Sequence, residues 1–124
     1  MSHSYRDLIV WNKALEMVTE VYRATRTFPR EETYGLCSQL RRAAVSVPSN
    51  IAEGQGKLSK GEFRQFLGHA RGSLLEMETQ IIIARNLGYL TEATLKELEK
   101  RSGEVSRLLH RLMQAMAPGG SEAA

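Results

Sequence analysis

The sequence predicts an all-α protein folded as an antiparallel, up-down-up-down four-helix bundle. Apolar residues recur at spacings of three and four along the chain and nowhere alternate as they do in a strand. Proline and glycine separate four such segments, and the short connections between them favour antiparallel packing of neighbours. A chain of 124 residues has room for one compact core. We therefore expect one domain over residues 1–117, with residues 118–124 as a disordered tail.

The first helix is expected over about residues 7–27. Phe28-Pro29 ends it, because the residue before a proline disfavours helical geometry. Side chains at helical spacing form the apolar stripe predicted to face the core: Leu8, Trp11, Leu15, Val18, Tyr22 and Thr25.

The second helix is expected over about residues 32–53, with Pro48 inside it. The missing N–H of Pro48 predicts a kink, and nearby polar side chains can bond the loosened backbone. Gly54 and Gly56 are expected to end the helix. The polar side chains are Ser46, Ser49 and Asn50, and the predicted core stripe is Leu36, Leu40, Ala43, Ala44, Val47 and Ile51.

The third helix has a capping box at its start, in which Ser59 caps and Glu62 reaches back. Leu58 and Phe63 stand at the spacing of a hydrophobic staple across that cap. Gly88 is expected to stop this helix, and Thr91 to cap the fourth. The core stripes are Phe66, Leu67, Ala70, Leu74, Met77, Ile81 and Ala84 in the third helix, and Leu95, Leu98, Ser102, Val105, Leu109, Leu112 and Met116 in the fourth.

The first and third helices carry more apolar residues than one core-facing stripe requires. A small bundle has no helix that is buried on all sides, so a second apolar flank indicates a surface used in association. We expect these residues to form the interface of a homo-oligomer. The candidates are Ile9, Val10, Met17 and Val21 in the first helix and Leu75, Ile82 and Ile83 in the third.

Composition and residue spacing give no support for an enzyme. None of the three histidines, His3, His69 and His110, has a glutamate three residues before it, as the carboxylate-bridged metal sites of four-helix bundles require. Cys37 lies beside apolar residues and is expected to be a small buried thiol. We expect no catalytic site, metal, cofactor or small-molecule substrate. An enzyme that uses Glu53 or Glu76 is the least favoured alternative, and a surface or interhelix ion pair is the expected role of Glu76.

The location expected from the sequence is the cytoplasm. No apolar run approaches the length that crosses a bilayer, and the first residues lack the apolar core of a signal peptide. A single cysteine excludes an internal disulfide and fits a reducing compartment.

Basic residues fall at regular helical intervals, although the net charge is only +3. Rows of this kind can follow a phosphate backbone, and they can equally be solvated faces with helical ion pairs such as Glu97 with Arg101. The favoured candidate nucleic-acid-binding residues are Arg41 and Arg42 in the second helix and Arg64 and Arg71 in the third. The fourth helix offers a second face, with Lys96, Lys100, Arg107 and Arg111.

Residues 34–54, YGLCSQLRRAAVSVPSNIAEG, resemble the signature of the bacterial four-helix bundle proteins encoded within intervening sequences of large-subunit ribosomal RNA genes. Further matches are Asp7-Leu8 with Val10-Trp11, Phe28-Pro29, the stretch Gly72–Glu76, and Leu87–Leu90. The signature residues are Pro48, Ser49, Asn50, Glu53 and Gly54, with Glu76 from the Gly72–Glu76 match.

The resemblance implies a ring of antiparallel four-helix bundles, a pentamer. The family is similar to the accessory proteins of diversity-generating retroelements, which form basic rings and engage a reverse transcriptase and nucleic acid. The first hypothesis is therefore a non-enzymatic, ring-forming bundle that binds RNA or a nucleoprotein complex. The alternative is a protein–protein scaffold that binds no nucleic acid.

Overall fold

The computed structural model describes residues 4–119, and these residues contain four long helices and no strand. The helices are α1 (Ile9–Thr25), α2 (Leu36–Gln55), α3 (Lys60–Asn86) and α4 (Glu92–Met116). Short 3-10 helices, Tyr5–Asp7 and Arg30–Glu32, precede α1 and α2. The all-α prediction with four helices is confirmed. His3 and the predicted tail beyond Gly119 lie outside the described residues.

Each helix packs against two others, in the cyclic order α1, α2, α3, α4. Ion pairs also join neighbouring helices. Between α1 and α4, for example, Lys13 pairs with Glu104 at 4.0 Å and Glu16 with Arg101 at 2.7 Å. Diagonal helices are separate: no Cα of α1 lies within 8 Å of a Cα of α3 in the described chain.

The helix ends are fixed by local hydrogen bonds. The Ser59 hydroxyl accepts from the backbone N–H of Glu62 at 3.1 Å and Thr91 accepts from Thr94 at 3.1 Å, so both predicted N-caps are confirmed. Gly88, with φ of 79°, ends α3, and the Tyr89 N–H reaches back to the Ala84 carbonyl at 2.9 Å, the Schellman pattern.

The predicted staple at the start of α3 is wrong. Leu58 is fully exposed, so it does not pack on Phe63 across the first turn of α3. The predicted start of α2 is corrected as well. The chain first forms the 3-10 helix, and the Glu32 carboxylate then accepts from the Leu36 N–H at 3.1 Å at the start of α2.

The core stripe of α1 differs from the prediction. The buried residues are Val10, Ala14, Met17, Val21 and Thr25. Leu15 is 39% exposed and Tyr22 is 40% exposed. Leu8, Trp11 and Val18 pack against the core only partly buried. Because α1 is apolar over more than one flank, the spacing alone did not determine its rotation about its own axis. Packing between α2 and α4 selected the stripe with the smaller residues.

The core stripes of the other three helices agree with the prediction in most positions. In α2 the predicted residues from Leu40 to Ile51 are buried, and Cys37 joins them. In α3 Phe66 is only half-buried, and in α4 burial falls off towards Leu112 and Met116. No helix in residues 4–119 combines the length and apolar character needed to cross a membrane.

Candidate nucleic-acid interface

Two of the eight candidate basic residues are held by contacts within the bundle. The Arg41 Nε donates to Thr25 Oγ1 at 2.8 Å, and its guanidinium carbon lies 4.5 Å from the centre of the Tyr22 ring. The Arg64 Nε donates to the Met113 carbonyl at 3.3 Å, near the end of α4. Both arginines therefore connect helices.

Four candidates form a row on the solvent side of α4. Lys96, Lys100, Arg107 and Arg111 are exposed, and their intervals of four, seven and four residues place them on one side of the helix. We call this row the α4 basic face. Its positive charge is available to a partner from solvent.

The α4 basic face is not neutralised by carboxylates of the same chain. Within residues 4–119 the five ion pairs use Lys13, Arg23 and Arg101 as their cations. The predicted pair of Glu97 with Arg101 is confirmed at 2.9 Å. The hydrogen bond to Glu97, with the charge of Glu97 and the interactions with Glu16, raises the pKa of Arg101 above its usual range. The other acidic residues near the α4 basic face form no ion pair with its four cations in the described residues.

The last two candidates are exposed on different helices. Arg42 lies on the solvent side of α2 and Arg71 on the solvent side of α3. No hydrogen bond or ion pair among the described residues joins them to each other or to the α4 basic face. Of the four candidates on α2 and α3, Arg41 and Arg64 are held against other helices, whereas the four on α4 form the row that their spacing predicted.

The candidate interface residues divide into two groups. In α1, Val10, Met17 and Val21 are at most 4% exposed, so they belong to the core of the single chain and their assignment to an interface is corrected. The same rotation of α1 that buries them leaves Leu15 and Tyr22 facing solvent. The other candidates remain exposed: Ile9 at 67%, Leu75 at 52%, Ile82 at 45% and Ile83 at 43%.

A groove between α1 and α2 was missed by sequence reasoning. It has a volume of about 400 Å³, and its lining is mostly apolar. The signal that could have found it is the apolar stripe with Trp11, Leu15 and Val18 on α1, which the sequence analysis assigned to the core. The lining residues are Tyr5, Trp11, Leu15, Val18, Val45, Pro48, Ser49 and Ala52.

The signature residues of α2 have structural roles. Pro48 is buried, and the helix continues on both sides of it. Ser49 donates to the Val45 carbonyl at 2.9 Å, and Asn50 donates to the Ser46 carbonyl at 2.8 Å, so both bond the backbone next to the proline as expected. Ser46 also meets Ser73 of α3 at 2.9 Å. The Ser46–Ser73 contact joins α2 to α3, and the other two bonds lie within α2.

Gly54 was expected to end α2 and instead lies inside it, buried against α3. The last helical residue is Gln55, and Gly56 is the C-cap. A methyl group at Gly54 would collide with Phe66, so the residue is required by helix–helix distance and not by helix termination.

Glu53, Glu76 and Cys37 are the side chains that the sequence analysis raised for possible chemical roles. Glu53 and Glu76 are exposed, and Cys37 is buried with its thiol 3.9 Å from the Thr25 carbonyl. Ser102 donates to Glu78 at 2.5 Å across the α3–α4 contact. In the part of the chain that the structure describes, no cluster of three or more histidine, cysteine, aspartate or glutamate side chains could hold a metal.

Comparison with known proteins gives a family match over residues 6–111, to the family described as 23S rRNA-intervening sequence protein. The chain belongs to this family. The 23S rRNA-intervening sequence match covers most of the chain, including all of α1, α2 and α3 and most of α4.

A solved structure confirms the fold of this family member. It is a protein of unknown function from the S23 ribosomal protein family of Bacteroides thetaiotaomicron, with a TM-score of 0.77 and 21% sequence identity. The alignment covers 86% of this chain and 99% of the other. No curated protein matches the chain.

Proposed function

We propose that this member of the 23S rRNA-intervening sequence family is a cytoplasmic, non-enzymatic bundle that self-associates and binds RNA through the α4 basic face. Each copy is an up-down-up-down antiparallel bundle with α2 bent at Pro48. The copies close into a ring, which the family resemblance implies is a pentamer. RNA is bound alone or within a nucleoprotein complex.

The observation that carries the RNA proposal is the row of four unpaired cations on α4. Basic side chains that serve only to stabilise the bundle would be expected to form ion pairs with carboxylates, as Arg101 does with Glu97 and Glu16. A row of exposed, unpaired lysines and arginines instead suits the repeating negative charge of a phosphate backbone. Aromatic side chains are absent from the four positions, so stacking on unpaired bases is not expected to contribute.

Self-association multiplies this charge. The formal charge of one chain is +3, which gives a weak field, but copies that present α4 on the same side produce a continuous basic surface. Binding to a structured RNA should then be stronger for the assembly than for a single chain.

The experiment is a titration of structured RNA with the purified protein, followed by fluorescence anisotropy over a salt series. We expect the logarithm of the affinity to fall linearly with the logarithm of the salt concentration, because bound cations release counterions from the phosphates. The double variant Lys100→Gln with Arg107→Gln should bind RNA more weakly. Its plot of log affinity against log salt concentration should be shallower by roughly the contribution of two phosphate contacts.

The matched control is Arg26→Gln with Arg30→Gln. It removes the same charge from exposed positions outside α4. Equal losses in the two double variants would show that net charge, and not the α4 basic face, determines affinity. Absence of binding at low salt, or an affinity that does not respond to salt, would contradict the RNA proposal itself.

A protein–protein scaffold is the second candidate, and the exposed apolar residues of α3 favour it. Leu75, Ile82 and Ile83 are between 43% and 52% exposed, more contiguous apolar surface than a monomer needs. If the protein assembles but binds no RNA at any salt concentration, the scaffold is the better description.

A further inference from the structure

The solvent side of α3 carries a second row of residues at coiled-coil spacing. Its seven positions follow intervals of three and four without a break, and none is charged. Intervals of this kind mark the line along which one helix packs on another. We call this row the α3 outer face: Gln65, Gly68, Gly72, Leu75, Thr79, Ile82 and Asn86.

The solvent side of α1 carries a similar row. Its five positions follow intervals of four and three, and again none is charged. Leu15 and Tyr22 are its large members, at 39% and 40% exposure. We call this row the α1 outer face: Leu8, Asn12, Leu15, Thr19 and Tyr22.

Three polar members of the two faces donate hydrogen bonds to the backbone of their own helix. Asn12 Nδ2 donates to the Leu8 carbonyl at 3.0 Å, Thr19 Oγ1 to the Leu15 carbonyl at 3.1 Å, and Thr79 Oγ1 to the Leu75 carbonyl at 2.8 Å. A hydroxyl whose donor is already satisfied can be covered at little cost. The two faces are therefore suited to losing their contact with water.

We propose that the α1 outer face of one copy packs against the α3 outer face of the next copy. This inference rests on the proposed self-association and specifies its geometry. Because α1 and α3 occupy diagonal positions in the bundle, neither can cover the other within one chain. A contact of α3 with α3 would leave the α1 outer face exposed, whereas contact of α1 with α3 covers both.

The level of each residue along the bundle supports this pairing. Leu15 and Val18 share a groove with Val45 and Pro48 of α2. Val45 and Pro48 flank Ser46, which meets Ser73 of α3.

Leu15 therefore lies at the same level along the bundle axis as Gly72, and Gly68 is one helical turn earlier in α3. No heavy atom lies within 4 Å of the Cβ position at either glycine. Two copies side by side therefore place the bulky Leu15 opposite the recess that the glycines leave.

The charges bordering the two faces are complementary when the copies point the same way. On the α4 side, Glu16, which is bonded to Arg101 of α4, borders the α1 outer face. Arg71 borders the α3 outer face on the same side, one heptad after Arg64, which is bonded to α4. Glu16 and Arg71 are at similar heights and of opposite sign.

On the α2 side, Arg42 is exposed one heptad before Ser49, which lines the groove next to Leu15, and Glu76 is exposed on α3 one turn after Ser73, which meets α2. Arg42 is one turn before Ser46, and Glu76 is one turn after Ser73, so they are again at similar heights. Inverting one copy would place Arg42 near Arg71 and Glu16 near Glu76. Opposite charges thus favour parallel copies and penalise inverted ones.

Contact between two different faces makes the assembly heterologous, so parallel copies close into a ring if the rotation between them allows it. Because α1 and α3 form the contacts, α4 is left free in every copy. The α4 basic faces then all point to the same side of the ring.

The test uses two variants that each block one face. Leu15→Glu with Thr19→Glu blocks the α1 outer face, and Leu75→Glu with Ile82→Glu blocks the α3 outer face. Native mass spectrometry and sedimentation should show each variant alone as a monomer. Mixed in equal amounts, they should form a 1:1 dimer, because each brings the face that the other lacks.

The control carries two glutamates on α4, Ser106→Glu with Gln114→Glu, and should keep the mass of the unmodified assembly. If only the α3 variant dissociates and the mixture gives no 1:1 dimer, the contact is α3 with α3 and the inference is overturned, while self-association stands. If the unmodified chain is monomeric at high concentration, self-association itself is overturned.

Two further variants keep the inference testable if the glutamates impair folding. Gly72→Leu fills the recess opposite Leu15 from the open side of the helix, so it should dissociate the assembly and leave each monomer helical by circular dichroism. Glu76→Arg should weaken assembly, and adding Arg42→Glu in the same chain should restore it. Failure of this rescue would overturn the parallel arrangement.

Discussion

Gly54 and Phe66 approach so closely that a Cβ at position 54 would lie 2.6 Å from the Cβ of Phe66. The Phe63 carbonyl, at 3.2 Å, limits the space from a second direction. The close α2–α3 contact therefore depends on a glycine in the last turn of a helix, where alanine has the higher helix propensity.

Gly54→Ala should lower the free energy of unfolding by about 1–3 kcal/mol, because the backbones of α2 and α3 must separate to admit the methyl group. Chemical denaturation followed by circular dichroism measures this. Gly56→Ala is the control, since the nearest atom to a Cβ at this position is the Glu53 carbonyl oxygen at 3.5 Å, an ordinary contact distance. Equal stability of the two variants would contradict the steric explanation.

Arg41 is expected to contribute to stability and not to RNA binding. Replacing it with glutamine removes the bond to Thr25 and the stacking on Tyr22, so the free energy of unfolding should fall by about 1–2 kcal/mol. Its effect on RNA affinity should be no larger than that of Arg26→Gln, an exposed arginine in the same part of the bundle. A selective loss of RNA affinity in Arg41→Gln would return this residue to the binding site.

Gln80 has a buried side-chain oxygen without a hydrogen-bond partner. Gln80 is only 8% exposed and lies on the side of α3 that faces the core. Gln80→Met keeps the length of the side chain and removes the unsatisfied group, so it should raise the free energy of unfolding by about 1 kcal/mol. The control Gln39→Met, at an exposed position of α2, should change stability by less than about 0.5 kcal/mol. A destabilised Gln80→Met would show that the amide is needed.

Tyr89 links the end of α3 to the start of α2 by donating to Glu32 at 2.9 Å. This hydrogen bond, then desolvation, then the charges of Glu32 and Glu31 raise the pKa of Tyr89 above its ordinary value of 10.0. A raised pKa in the folded state means that folding favours the protonated phenol. The resulting stability is complete below pH 10 and is lost as the pH rises towards the folded-state pKa.

Unfolding measured from pH 8 to pH 11 should therefore show a steeper loss of stability above pH 10 for the unmodified chain than for Tyr89→Phe. Tyr34→Phe, at a side chain that is 95% exposed, should retain the steeper loss. Identical pH profiles for the unmodified chain and Tyr89→Phe would rule out this linkage.

Local signals in the sequence predicted most of the fold. Ser59, Thr91 and Gly88 act through their own or nearby backbone atoms, so their roles do not depend on the rest of the structure. The stripe of α4 is equally local, because its other side is charged and leaves one rotation that buries apolar residues.

Predictions that required the rotation of a helix or the distance between two helices were less secure. Val10 and Leu15 are both apolar, and only the packing of α1 against its neighbours buries the first and exposes the second. Gly54 looked like a helix stop, since its sequence neighbours do not include Phe66. The candidate arginines were alike in sequence, and Thr25 and Met113, which hold Arg41 and Arg64, are distant along the chain.

Local patterns in the amino-acid sequence were enough to predict four helices, most of their ends, and apolar surface on α1 and α3 beyond one core. Packing between the helices was needed to show which flank of α1 is buried and that Arg41 and Arg64, unlike the row on α4, are held by other helices. Capping and periodicity act within a few residues, whereas burial depends on side chains that meet across the bundle.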